Sequence, residues 1–112
     1  MLIVDDDQFF REMAAALLDG PGVIVVGQAA DGATGVEQAR RLRPDVVLLD
    51  IQLPDLSGLE VCRILVDAGF QVVLCSAREA SVYGPLVAQS GARGFISKTV
   101  LSPQELTRII ES

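Results

Sequence analysis

Short apolar runs alternate along this chain with longer stretches in which apolar residues recur every three to four positions. Continuous or two-fold apolarity over a few residues fits strands, and a 3.6-residue recurrence fits helices. The pattern predicts strands at 2–4 (LIV), 23–28 (VIVVGQ), 45–50 (DVVLLD), 71–75 (QVVLC) and 93–97 (RGFIS). It predicts helices at 8–18, about 32–42, 58–67, about 79–90 and 103–111. The first helix takes Asp7 as its N-cap and Phe9, Phe10, Met13 and Leu17 as its apolar face. The segment DGPG (19–22) breaks the chain, Arg41, Arg43 and Pro44 close the second helix, and Ser102 caps a last helix that starts on Pro103. Gly27, Gly32, Gly91 and Gly94 read as turn and helix-end residues.

The run DVVLLD is apolar on both faces, as in the middle of a parallel sheet covered from both sides. Five strand–helix units with short connections imply a doubly wound α/β fold. The expected architecture is a five-stranded parallel sheet in the flavodoxin-like order 2-1-3-4-5, with helices on both faces.

Composition narrows the function classes. With 112 residues the chain is expected to be one domain, 1–112. Half the residues are hydrophobic, yet no apolar run reaches the length of a membrane span and the opening lacks a signal peptide's basic start, so a cytoplasmic location is expected. Cys62 and Cys75 are too few and too far apart for a disulfide framework or zinc site, there is no histidine to help, and buried inert thiols are expected. A net charge of -6 with nine basic residues argues against a nucleic-acid surface on this segment. An acidic chain can still bind a cation.

In open parallel sheets the reactive crevice lies beyond the carboxyl ends of the strands, where the strand order reverses. That edge would receive Asp5, Asp6 and Asp7 from the first strand, Asp50 from the third, Ser76 from the fourth and Lys98 from the fifth. Taken singly these are an N-cap, a loop-start aspartate, a turn serine and a solvated lysine. Their joint arrival at one edge argues for a site. Two carboxylates about 5 Å apart repel by roughly 3 kcal/mol at an effective dielectric of about 20. Lys98 supplies one positive charge, and a divalent cation with hard oxygen ligands, Mg²⁺ above all, would supply two.

These residues resemble the receiver domain of bacterial two-component response regulators, the CheY-like superfamily, over essentially the whole chain. The motifs are IVDDD, VVLLDIQLPDLSGLEV, VVLCSA and GARGFISK. The second is the most specific, with Pro54 and Gly58 four and eight residues after Asp50. The resemblance implies that Asp50 is a phosphoacceptor, attacking the phosphorus of a phosphohistidine on a sensor histidine kinase or phosphotransfer protein. Asp5, Asp6, Asp50 and the backbone carbonyl of Gln52 would hold Mg²⁺, with Mn²⁺ as a substitute, and Lys98 would neutralise phosphoryl oxygens. Ser76 and Phe95 would form a switch, moving the face of the fourth helix, fifth strand and fifth helix. Such a domain is not a conventional enzyme, although it catalyses its own phosphorylation and dephosphorylation.

Serine at 76 and phenylalanine at 95 replace the threonine and tyrosine of many members, and the lost phenol implies a less sharply two-state switch. Thr99 and the sequence GARGFISKTVLSPQEL resemble receivers joined to LuxR-like helix-turn-helix domains. The chain is therefore expected to be the N-terminal part of a longer regulator of transcription. DNA would be reached only through an output domain outside this chain, and a homodimer is a further expectation. Kinase contacts are expected around the first helix, with Phe9, Phe10, Arg11 and Met13 as candidates, while Arg78 would tune dephosphorylation.

Three other readings compete. A haloacid-dehalogenase-like phosphatase needs an acid two residues after its nucleophile, where Gln52 stands. An FMN carrier needs a phosphate-binding loop where this chain has carboxylates. A degenerate receiver, acting as a phosphorylation-independent interaction module, would not need the intact set of Asp6, Asp50, Ser76 and Lys98.

Overall fold

The computed structural model describes residues 1–78 and 80–111, the side chains of 80–82 apart. In chain order the elements are β1 (Leu2–Val4), α1 (Gln8–Leu18), β2 (Gly27–Ala29), α2 (Gly32–Leu42), β3 (Val46–Asp50), α3 (Gly58–Asp67), β4 (Gln71–Ser76), α4 (Ala80–Gln89), β5 (Gly94–Ser97) and α5 (Pro103–Glu111). A short 3-10 turn, Lys98–Val100, follows β5. All strand pairings are parallel, and the order is β2-β1-β3-β4-β5, the doubly wound arrangement expected from the sequence.

The two-residue period of a strand divides its side chains between two cores. Ile3, Leu48, Val73 and Ile96 pack on one face with Phe10, Ala14 and Leu18 of α1 and with Leu106 and Ile109 of α5. Leu2, Val4, Val47, Leu49, Val72 and Leu74 pack on the other with Ala39 of α2 and Val61, Cys62 and Leu65 of α3. Each of these large aliphatic side chains contributes about 1.5–3 kcal/mol by leaving water. The helix starts are capped as their sequences prescribe. Asp7 Oδ1 accepts the Phe10 N–H at 3.2 Å, Asp31 Oδ1 the Thr34 N–H at 2.7 Å, and Ser102 Oγ the Glu105 N–H at 3.1 Å. Arg43 closes α2 in the left-handed region, with φ 52°.

Several expectations are corrected. The buried stripe of α1 is Phe10, Ala14 and Leu18, whereas Phe9 is 79% exposed and Met13 and Leu17 also face solvent. The side facing the sheet is therefore one residue round from the stripe expected. The second strand is paired only from Gly27, opposite Leu2; residues 23–26 run ahead of that register and are tied to β1 by the Val26 N–H on the Met1 carbonyl and the Met1 amino group on the Ile24 carbonyl. Gly27 and Gly94 lie inside strands, where a Cβ would come within 2.9 Å of Leu42 and 2.7 Å of Ile109 respectively. They are close-approach positions, whereas Gly91, with φ +84°, is the turn residue expected. The fourth helix is interrupted at Gly84 (φ 21°, ψ -105°), because Pro85 has no N–H to continue the ladder. Residue 79, which the sequence pattern places in that helix, lies outside the described residues. The third strand starts at Val46, the fourth runs on to Ser76 and the fifth starts at Gly94. Both cysteines are free and buried, as expected.

Gly58 fixes where the site is built. It opens α3 with its N–H on the Ile51 carbonyl at 2.7 Å, and a Cβ there would fall 2.1 Å from the Asp50 carbonyl oxygen and 2.5 Å from Ile51 Cα. Helix α3 can therefore press against the end of β3 only with glycine at this position. Gly58→Ala is expected to cost about 3 kcal/mol, lowering the thermal unfolding midpoint by roughly 10 °C or more. Gly20→Ala, where nothing lies within 4 Å, should melt close to wild type in the same calorimetric scan.

Candidate functional site

Strands β1 and β3 are neighbours, and their last paired residues, Val4 and Leu49, deliver Asp5 and Asp50 side by side at the carboxyl edge of the sheet. Asp5 is fully buried and Asp50 only 4% exposed. Asp5 is held by its neighbours, since its N–H donates to the Ala29 carbonyl at 3.0 Å and its Oδ1 accepts the Asp7 N–H at 2.9 Å. Its own carbonyl accepts from Arg11 Nη1 at 2.7 Å. Asp50 Oδ1 accepts the Gln52 N–H at 3.1 Å. Asp6 is exposed, yet it completes a cluster in which one carboxylate oxygen from each of Asp5, Asp6 and Asp50 lies within 4.8 Å of the others.

Lys98, on the 3-10 turn after β5, reaches into this cluster. Its Nζ lies 2.6 Å from Asp5 Oδ2 and 3.4 Å from Asp50 Oδ2. It also sits 4.3 Å above the Phe10 ring, whose negative face favours an ammonium. Asp5 and Asp50 thus share one ammonium, with the Asp6 carboxylate beside them. Burial pushes the Asp50 carboxyl up from 3.8 to about 6, with the charge of Asp5 adding to it and Gln52 and Lys98 opposing. Burial pulls the Lys98 ammonium down, but its contact with Asp5 and the charges of Asp50 and Asp5 prevail, leaving it above its usual value. Burial, then the charges of Asp50 and Asp5, push the Cys75 thiol far up. It is an inert neighbour rather than a nucleophile.

The set fits a divalent cation. Asp5 Oδ2 touches Lys98 but makes no hydrogen bond of acceptable geometry, so a buried carboxylate oxygen is left with open lone pairs. The donors are all hard oxygens, and two of the three carboxylates are fixed by backbone N–H groups on their other oxygen. Among the described residues this is the one such acidic group. Asp7 is not part of it; its carboxylate caps α1.

The other expected residues are placed unequally. Ser76 ends β4, fully buried, and its Oγ accepts the Arg78 N–H at 3.1 Å. Phe95, within β5, is half-buried and packs with the α3 and α4 side of the sheet. The Arg78 side chain is exposed, and only its backbone amide meets Ser76. Gln52 touches Asp50 through its N–H. Of the kinase-contact candidates, Phe10 is buried, Arg11 is engaged with Asp5, and Phe9 and Met13 are exposed.

Two residues, Asp55 and Tyr83, and one role, that of Phe10, are not legible in the sequence. Phe10 is the platform for Lys98. Asp55 accepts the Gly32 and Ala33 N–H groups at 2.8 and 3.0 Å, which hold its carboxyl below the usual range and tie the loop after Asp50 to α2. Tyr83 lies with its ring centroid 6.2 Å from that of Phe95 and its hydroxyl 3.5 Å from Ser76 Oγ. Its being the sole tyrosine of the chain was the one available signal.

Comparison with known proteins agrees with this geometry. The family model described as the response regulator receiver domain matches residues 1–111. The DNA-binding response regulator MtrA of Mycobacterium tuberculosis is 40% identical over 109 residues, which are 95% of this chain and 46% of MtrA. The chemotaxis protein CheY of Thermotoga maritima is 31% identical over 114 residues, covering 100% of this chain and 92% of that protein. Among solved structures, a LuxR-family two-component response regulator from Aurantimonas superposes with a TM-score of 0.85 at 30% identity, over 98% of this chain and 80% of the other. The chain belongs to the response regulator receiver domain family. It spans about half the length of the MtrA relatives it matches. No described helix is long and apolar enough to cross a membrane.

The raised Asp50 carboxyl makes a prediction for the ion-free protein. With a folded value of about 6 against 3.8 unfolded, the native state binds the extra proton between these values, so stability falls as pH rises from about 4 to about 6. Asp50→Asn should flatten that fall and melt higher than wild type at pH 7, both read from thermal unfolding across pH in a chelator. Wild-type and Asp50→Asn curves that run parallel over this window would show that Asp50 carries no such strain.

Proposed function

We propose that this domain is the phosphoacceptor of a two-component signalling system, taking a phosphoryl group onto Asp50 in a Mg²⁺-dependent reaction. The observation that carries the reading is the surroundings of Asp50: buried at the end of β3, with Asp5 and Asp6 oxygens within 4.8 Å and the Lys98 ammonium at 3.4 Å. A carboxylate oxygen attacks phosphorus, the bond from phosphorus to the imidazole nitrogen of a phosphohistidine breaks, and the leaving imidazole takes up a proton. Such a transfer needs positioning and charge neutralisation more than covalent chemistry from the protein. Asp5, Asp6, Asp50 and the Gln52 carbonyl would hold Mg²⁺, or Mn²⁺ in its place, and the ion supplies charge for the phosphoryl oxygens. Lys98 meets those oxygens from the other side, Gln52 N–H orients the acceptor carboxylate, and buried Ser76 donates to the new phosphoryl group.

The switch would run through Ser76 and Phe95 to the face formed by α4, β5 and α5, while exposed Arg78 would tune the approach of water during dephosphorylation. The donor is a sensor histidine kinase or phosphotransfer protein, and Phe9, Met13 and Leu17, one exposed stripe of α1, offer it an apolar docking face. The whole regulator would be cytoplasmic and able to form homodimers. It would reach DNA through a LuxR-like output domain outside this chain and so control transcription.

The reading is tested by incubating the domain with Mg²⁺ and acetyl phosphate and weighing it intact. Wild type should gain one phosphoryl mass, and Asp50→Asn or removal of Mg²⁺ should abolish the gain. A wild-type mass that stays unchanged under both conditions would leave the interaction-module reading in its place.

A further inference from the structure

Ser76 has one hydroxyl proton, and two acceptors compete for it. Its Oγ already accepts the Arg78 N–H at 3.1 Å, and the Tyr83 Oη lies 3.5 Å from it, in line to take the Ser76 hydroxyl proton. Ser76 is fully buried. A serine that donates to Tyr83 cannot at the same moment donate to a phosphoryl oxygen on Asp50.

Tyr83 also bears on the second switch residue. Its ring and that of Phe95 lie 6.2 Å apart, tilted by 43°, within the distance at which aromatic pairs attract. The next two residues are Gly84, with non-helical backbone angles, and Pro85, which cannot donate to the helical ladder. Helix α4 is therefore broken just after Tyr83. The kink falls immediately after the residue that meets Ser76 and Phe95.

From this geometry we infer that Tyr83 is a latch: in the resting domain it holds the Ser76 hydroxyl and backs the Phe95 ring, and phosphorylation of Asp50 releases both by drawing Ser76 away. The inference rests on the reading of Asp50 as phosphoacceptor and adds a positioning residue on α4. It also links the site to α4 through a single side-chain contact. No covalent step is involved; the proton stays on Ser76 Oγ and changes only its acceptor.

The test uses the 112-residue chain and beryllofluoride with excess Mg²⁺ as a phosphoryl analogue, followed by backbone amide resonances. Tyr83→Phe keeps the ring against Phe95 and removes the acceptor. It should saturate with beryllofluoride at a roughly two- to tenfold lower concentration than wild type, the range of one neutral hydrogen bond. In a Ser76→Ala background the same substitution should change nothing, because the proton it competes for is gone. Wild-type binding with an unaltered Tyr83→Phe midpoint overturns the latch and leaves the phosphoacceptor reading standing. A Tyr83→Phe effect of equal size in the Ser76→Ala background also overturns it. Were wild type to take up no beryllofluoride, the phosphoacceptor reading would fail and the ion-free spectra decide the contact by itself. There, resonances of residues 76–78 that shift with Tyr83→Phe only when Ser76 is present support it, and resonances that do not shift overturn it.

Discussion

Everything at the working edge of this domain follows from carboxylates held where water cannot screen them. Asp5 and Asp50 are buried, fixed by backbone N–H groups, and share a single ammonium. Two such charges about 5 Å apart repel by roughly 3 kcal/mol even at an effective dielectric of about 20, a large part of a small domain's stability. The sheet supplies what holds them together. Central strands buried on both faces place the two residues by register, and Gly58 lets α3 close on the end of β3. The fold thus spends part of its stability on keeping a charged site ready for a cation.

Lys98 sets the resting state of that site. It sits against Asp5 at 2.6 Å and is farther, at 3.4 Å, from Asp50, with the Phe10 ring beneath it. Burial, with the charge of Asp5 added to it, makes Asp50 hold its proton more firmly than an ordinary aspartate, and one ammonium does not offset both. A divalent ion would supply the further positive charge. Ser76 stands one residue beyond Cys75, the β4 partner of Asp50 in the register. Events at the site can therefore reach α4 and β5 through a side chain or two.

The fold and most of the site were legible because they depend on local pattern and a topological rule. Alternating apolar runs mark the ten elements, and the rule about carboxyl ends brings Asp5, Asp6, Asp50, Ser76 and Lys98 to one edge. What stayed hidden depends on geometry that pattern does not encode. Helix α1 carries two competing apolar stripes, Phe9–Met13–Leu17 and Phe10–Ala14–Leu18, which spacing alone does not tell apart, and the second is the one buried against the sheet. The run VIVV reads as strand in isolation, but the register with β1 begins only at Gly27. Tyr83 meets Ser76 and Phe95 across elements, next to the break in α4, so no spacing within the sequence announces it.

The central claim is that the acidic cluster is a cation site kept at a cost in stability. Thermal unfolding of wild type and Asp6→Asn, each titrated with Mg²⁺ at neutral pH, tests it most directly. The account predicts a saturable rise in the wild-type midpoint, equivalent to about 2.7 kcal/mol at a hundredfold excess over Kd, and a much weaker Mg²⁺ response in Asp6→Asn. A wild-type midpoint that ignores Mg²⁺, or an Asp6→Asn variant that responds as wild type does, would contradict it.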